Sequence, residues 1–331
     1  MDYVNIFSVV FLFFYHFYCN TIHCSLFLLK IHTDYVKLYK KQILSRKADV
    51  FMKVGLVLEG GAMRGMFTAG VLDIFLDNDI HVDGIIGVSA GALFGVNFPS
   101  RQRGRALRYN KNYAGDKRYI SIHSLIRTGD IVSKDFAYGT LPCILDPFDD
   151  ETFINSGIDY YAVVTNIETG KAEYVKITKG FEQMETLRAS GSMPFVSKPV
   201  IIDGNKYLDG AVSDSIPYKK FIEMGYDKII VVLTRDINYR KGKMNALAID
   251  LMYRKYPKLK ELLKNRHNMY NESIDDLKTL EDAGKVFVIR PSEPINIGKI
   301  EKDKEKLQAV YDLGIKDAMA RIYDLKKYIS G

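Results

Sequence analysis

From Lys53 onward the sequence predicts an α/β protein of three layers, helices on both sides of a mainly parallel central sheet. Two observations predict it. Short apolar, β-branched runs recur along the chain between helical stretches, and two of them lead directly into small-residue turns that open helices. Composition agrees, since 47% apolar and 26% charged residues in a chain of 331 describe a globular protein and exclude a disordered tail.

Val54 to Leu58 is the first such run. A Gly-rich turn comes next, and then Ala69, Val71, Leu72, Phe75 and Leu76 fall at helical spacing. Ile85 to Val88 is the second run, entering Ser-Ala-Gly-Ala-Leu-Phe-Gly at once. Tyr160 to Thr165 and Lys171 to Ile177 read as strands around Glu-Thr-Gly, and Phe181 to Ala189 as a helix. Lys198 to Leu208 alternates around Asp203-Gly204, a pair suited to a tight hairpin that needs positive φ. Lys228 to Leu233 and Lys285 to Ile289 complete the strands. The expected organisation is a catalytic domain over 52–235, then a helical extension over 236–331 with one further strand at 286–290.

Residues 1–51 differ from the rest. They carry 12 of the 40 aromatics and no Gly, Pro or Glu, and from Tyr3 to Leu29 no residue is formally charged. That run exceeds the roughly 20 residues needed to span a bilayer. Asn5, His16, Asn20 and His23 interrupt it, Asp2 stands where a signal peptide would be basic, and no small-residue cleavage site comes after it. The segment is therefore expected to be either a membrane anchor or a spurious extension upstream of Met52. Three cysteines cannot build a disulfide framework, so a reducing, cytoplasmic setting is expected, with membrane association if the anchor is real.

The net charge of +7 is uneven. Without the first 51 residues it falls to +4, too little to argue for nucleic acid. Arg240 to Arg266 holds nine Lys and Arg against Asp250 and Glu261. That stretch reads either as a solvated helix face or as a basic amphipathic helix in peripheral contact with anionic lipid.

The chemistry concentrates at two turns. Gly87-Val88-Ser89-Ala90-Gly91 matches the nucleophile-elbow pattern in its proper strand-to-helix setting, with neighbours that lack bulk. Ser89 is expected to be a nucleophile, the alternative being a helix-cap serine. The turn Glu59-Gly60-Gly61-Ala62-Met63-Arg64-Gly65 presents successive backbone N–H groups suited to an oxyanion, with Arg64 adding positive charge. A dinucleotide or P-loop cradle fails, because Ala62 stands where glycine is needed and no Gly-Lys-Ser/Thr is present after it. A Ser-His-Asp triad has only His267 in the right order, and its polar helical surroundings predict a solvent-facing ring. The base is therefore sought among carboxylates. No metal or cofactor is expected, since metal-binding patterns are lacking.

A Gly-rich turn after the first strand, G-x-S-x-G some 25 to 30 residues on, and Asp209-Gly210-Ala211 downstream together resemble the patatin-like phospholipases. The resemblance implies a lipid acyl hydrolase with a Ser-Asp dyad: Ser89 as nucleophile, Asp209 as partner, and Gly60, Gly61, Ala62, Arg64 and Gly65 as the oxyanion loop. Ala62 departs from the family's usual third glycine. The resemblance also places Met193, Pro194 and Phe195 beside the site as walls of an acyl pocket, and implies a phospholipid or other acyl-ester substrate. The segments after Arg235 are similar to an extension found in one bacterial subgroup. Physical argument likewise favours Asp209, because Asp203 sits where the hairpin must turn, while Asp209 closes the returning strand beside two small residues. The reading from a different class is a lipid-binding or regulatory protein with a vestigial site.

Overall fold

The computed structural model describes residues 52–331 and, before them, Lys30, Thr33 and Lys37 alone. The expected anchor or extension therefore lies outside the described residues, among which no helix is long and apolar enough to cross a membrane.

Eight strands form one sheet: β1 (Val54–Leu58), β2 (Gly84–Val88), β3 (Asp159–Asn166), β4 (Lys171–Ile177), β5 (Val200–Ile202), β6 (Asn205–Asp209), β7 (Lys228–Val232) and β8 (Val286–Ile289). Their order is β5-β6-β3-β2-β1-β7-β8, with β4 also paired to β3. The run from β3 to β8 is parallel throughout, and β4, β5 and β6 add antiparallel pairs at one end. The mainly parallel sheet expected from the sequence is the one observed.

The continuous apolar runs result from burial on both faces. Leu56, Leu58, Ile85, Ile230, Val232 and Phe287 join the core on one face, and their neighbours Val57, Ile86, Val88, Ile229, Val231 and Val288 join the core on the other. Helix α1 (Gly65–Asp77) contributes Phe67, Val71 and Phe75 to the first core, with α2 (Ala90–Gly95) beside it. Next in the chain come α3 (Arg105–Asn112), α4 (Ile122–Thr128), a wide π-type turn over Asp135–Leu145, and α5 (Asp150–Ile154). Helix α6 is Met184–Ser190, starting three residues later than expected because the Gln183 side chain accepts the Thr178 and Lys179 N–H groups and holds a turn there. Helix α7 (Tyr218–Glu223), α8 (Ala246–Met252) and α9 (Pro257–Asp282) precede β8, and α7 and α9 supply Phe221, Tyr270 and Leu277 to the second core. Proline at the first position of α9 costs no hydrogen bond.

The last helix, α10 (Lys304–Ser330), begins at Asp303, whose side chain accepts the Glu305 and Lys306 N–H groups. It crosses α1 with almost no gap. A Cβ on Gly70 would lie 2.2 Å from the Tyr311 carbonyl oxygen, and one on Gly314 would lie 2.1 Å from that of Phe67. Backbone meets backbone, so neither contact can yield by a rotamer change. Gly314→Leu should therefore destabilise the protein by about 3 kcal/mol or more, at or beyond the upper end of ordinary overpacking. Gly139→Ala, where nothing lies within 4 Å, should leave the denaturation midpoint nearly unchanged.

Candidate active site

A strand has two edges, and β3 uses both. The register of β4 covers Tyr160 to Asn166 along one edge. Strands β2 and β6 must then share the other, where they arrive from opposite directions. Val88, the last residue of β2, pairs with Val163, and Asp209, the last of β6, pairs with Val164. The two strands meet end to end, so the first residue beyond β2 faces the last residue of β6. Ser89 Oγ donates to Asp209 Oδ2 at 2.7 Å, with both residues buried.

Each partner is held in place. Ser89 has φ 54° and ψ −123°, a backbone state that costs a non-glycine residue about 1–3 kcal/mol. Its N–H donates to the buried Ser190 hydroxyl at 3.0 Å, and its carbonyl accepts the Ala92 and Leu93 N–H groups of α2. The neighbours lack bulk for a reason: a Cβ on Gly91 would meet the Leu58 carbonyl at 2.3 Å, and one on Gly210 the Val163 carbonyl at 2.2 Å. Asp209 Oδ1 accepts the Ala211 N–H at 2.9 Å, its own N–H donates to the Ser192 carbonyl, and its carbonyl accepts Thr165 Oγ1. Burial raises the Asp209 pKa above the ordinary carboxylate value, opposed by the bond from Ser89 and the charge of Arg266. Asp203, by contrast, sits with φ 49° in the exposed hairpin turn.

The loop after β1 passes against Ser89. Ala62 opens a 3₁₀ turn over Ala62–Arg64 with φ 48°, the left-handed state in which glycine is the usual occupant. The leading N–H groups of such a turn have no partner inside it. Gly60, Gly61, Ala62 and Arg64 border the space in front of Ser89. Gly65 does not: it starts α1, and its lack of a side chain admits the Phe94 ring.

Two chambers meet at the serine. One is almost wholly apolar, walled by residues such as Leu93, Phe94, Tyr119, Ala137, Leu141 and Met184. The other, the polar chamber, sets charged side chains and Asp209 among apolar residues such as Val212 and Met244. Ala62, Ser89, Met193 and Lys299 border both.

Three further expectations need correction. Met193 reaches the apolar chamber, but Pro194 and Phe195 border the polar one. Phe195 takes φ 72°, and its N–H and ring engage Tyr253. His267 is half-buried in the polar chamber rather than facing solvent, with Nδ1 buried and unbonded among the described residues. The basic stretch is not one solvated helix face: residues 240–245 are irregular, and Lys241 and Arg266 turn into the polar chamber. Arg266 Nε donates to the Ala211 carbonyl at 2.6 Å.

Other site residues carry no strong local signal in the sequence. Glu59, buried at the end of β1, accepts the Thr234 N–H at 2.6 Å and the Tyr270 hydroxyl at 2.8 Å. A carboxylate ending an apolar strand is the one available clue. Ser190, Arg235 and Lys299 have none, and Lys241 stands out only as one of the basic residues between Arg240 and Arg266.

Several known proteins resemble this chain. Residues 256–330 match a family described only as a domain of unknown function, DUF6363. The uncharacterized protein YjjU of Escherichia coli K12 is 26% identical over 270 residues, covering 79% of this chain and 75% of that one. Lysophospholipase nte1 of Aspergillus niger is 29% identical over 181 residues, 54% of this chain, and the corresponding protein of Kluyveromyces lactis 25% over 276 residues, 79% of it. Of those two fungal enzymes the chain spans 12% and 18% of the length. The solved structure of VipD from Legionella pneumophila is a remote likeness, with a TM-score of 0.39 and 11% identity over 81% of this chain and 66% of that one. The patatin-like phospholipase model matches residues 56–222, half of the chain and the half in which β2 and β6 converge; the chain belongs to that family.

Proposed function

We propose that the protein is a serine acyl hydrolase that cleaves fatty-acyl esters through Ser89 and Asp209. The observation that carries this reading is the 2.7 Å bond between the two side chains at the junction of an apolar and a polar chamber. An ester lipid has the same division, with a hydrocarbon on one side of the carbonyl and a polar alcohol on the other.

Ser89 Oγ attacks the carbonyl carbon while Asp209 Oδ2 takes its proton, and the carbonyl π electrons move onto oxygen. The N–H groups of Gly61 and Ala62 hold that oxyanion, with Arg64 adding positive charge from the polar side. Collapse expels the alcohol, which takes the proton from Asp209 and leaves the acyl group on Ser89. Water then attacks, giving its proton to Asp209, and the fatty acid departs as Ser89 regains a proton. Burial makes Asp209 a stronger base than an exposed aspartate, which suits direct proton transfer without an imidazole between. The lysophospholipase relatives support lipid esters as the substrate class.

Ser89→Ala and Asp209→Asn should each lower kcat on a short-chain ester by about 10³-fold or more. Loss of activity in His267→Ala with retention in Asp209→Asn would instead assign a triad. Asp209→Asn should also raise the unfolding midpoint at neutral pH. The folded pKa of Asp209 is raised, so its contribution to stability is most favourable below the ordinary carboxylate pKa and is lost as pH rises through the raised value. The stability gap between wild type and variant should close as pH falls below about 4.

The acid limb of kcat/KM against pH reports the ionisation of Asp209 and should lie above the ordinary carboxylate range of about 4. Arg266→Gln removes a charge that favours the carboxylate, so the limb should move further toward neutral pH. A limb that stays in place would remove Asp209 from the role of base.

A further inference from the structure

The polar chamber carries more positive charge than its own residues neutralise. Arg64, Arg235, Lys241, Arg266 and Lys299 border it against only Glu59 and Asp209. None of the five cations makes an ion pair among the described residues, although most other arginines of residues 52–331 do. The two carboxylates are already committed. Both oxygens of Glu59 are taken up by Thr234 and Tyr270, and both oxygens of Asp209 by Ser89 and Ala211.

The crowding shows in the groups themselves. Burial and the charge of Arg266 push the Lys241 ammonium down to about 8, and Arg64 Nε is buried without a hydrogen-bond partner among the described residues. Buried polar groups left unpaired are rare, and a cluster of like charges in a partly closed space opposes folding unless an anion joins it. The cluster also spans the chamber from several directions, since its members come from the loop after β1, the segment after β7, helix α9 and the loop after β8.

The aromatic surfaces argue against the main competitor. Tyr239 and Tyr270 border the chamber and resemble the walls of a quaternary-ammonium cage. Their faces are occupied by the protein's own cations: the Arg235 guanidinium lies 4.1 Å from the Tyr239 ring centre and Lys241 Nζ 4.2 Å from that of Tyr270. A choline head group would meet charge of its own sign there.

We propose that the polar chamber is a head-group subsite for glycerolipids bearing a phosphate monoester, with the acyl chain in the apolar chamber and the scissile carbonyl at Ser89. This rests on the acyl-hydrolase reading and names its substrate class. Arg235 and Lys241, braced on Tyr239 and Tyr270, face the phosphate. Lys299, exposed and common to both chambers, stands at the mouth.

The test uses the full chain carrying Ser89→Ala, so that binding is read without turnover. Its affinity for a monomeric 1-acyl glycerol 3-phosphate is compared with that for the phosphocholine lipid of the same acyl chain and for inorganic phosphate. The phosphate monoester should bind roughly tenfold or more tightly than the choline lipid, as one or more charge-assisted contacts would give. The preference should weaken with added salt. In the active enzyme, the same ratio of kcat/KM should shrink in Arg235→Gln and in Lys241→Gln. Equal affinities, or a ratio unmoved by both substitutions, overturn the subsite. Inorganic phosphate binding more tightly than the lipid also overturns it, making the chamber a site for a soluble anion. If Ser89→Ala shows the preference while wild type cleaves no ester, the subsite stands and the hydrolase reading falls. If wild type cleaves short-chain esters but Ser89→Ala shows no preference, the reverse holds.

Discussion

Ser89 and Asp209 lie 120 residues apart, and what joins them is the free edge of β3. The ladder of β4 closes one edge, so β2 and β6 must divide the other between them, one ending at Val163 and the other at Val164. Everything else at the site answers to that arrangement. Ser89 accepts a strained backbone because the chain has to leave β2 where β6 comes to an end. Gly210 lacks a side chain because the departing chain runs against Val163. Thr165, on β3 itself, fixes the Asp209 backbone. The separation of the two side chains is set by a hydrogen-bonded ladder in the buried sheet rather than by a loop.

The fold is legible in the sequence because its strongest signals are local. A strand buried on both faces must be apolar at every position, so β1, β2, β7 and β8 appear as unbroken runs without reference to anything distant. The elbow around Ser89 is legible for the same reason, since strand, small residues and helix are consecutive. Turn chemistry separates Asp203 from Asp209, because a residue at positive φ in a hairpin has its surroundings fixed by its neighbours. The apolar chamber is not legible. Much of its wall comes from short helices and a π-type turn within residues 105–148, where Tyr119, Leu141 and their neighbours keep to no single period, and the rest from distant residues such as Phe94 and Met184. The cation cluster is invisible for a related reason, as its members are spread from Arg64 to Lys299 and only the fold assembles them. Arg240 to Arg266 reads as one surface because the sequence shows charge density but not direction.

The two chambers differ in how their walls are made. Apolar walls satisfy themselves by burial, and the chamber between Phe94 and Leu141 is lined by the same kinds of residue that fill the core beside it. The polar chamber holds unlike pieces in tension. Glu59 is pinned by Thr234 and Tyr270, Arg266 by the Ala211 carbonyl, and Lys241 by an aromatic face, so the charges stay near one another despite their repulsion. On the proposed reading that tension is what an anionic head group relieves, and Arg266 is linked to Asp209 by two hydrogen bonds through Ala211.

The edge of β3 also separates two design problems within one chain. Ser89 and Asp209 are gauged by the sheet, whereas much of the apolar wall, which on the proposed reading measures hydrocarbon length, is supplied by residues 105–148, which form no part of the sheet path. On that reading, a descendant of this sequence can lengthen, shorten or replace that intervening segment and so change which chains fit, while the distance between Ser89 and Asp209 is kept by strands that the change never touches. Substrate range and chemical competence can therefore diverge at independent rates.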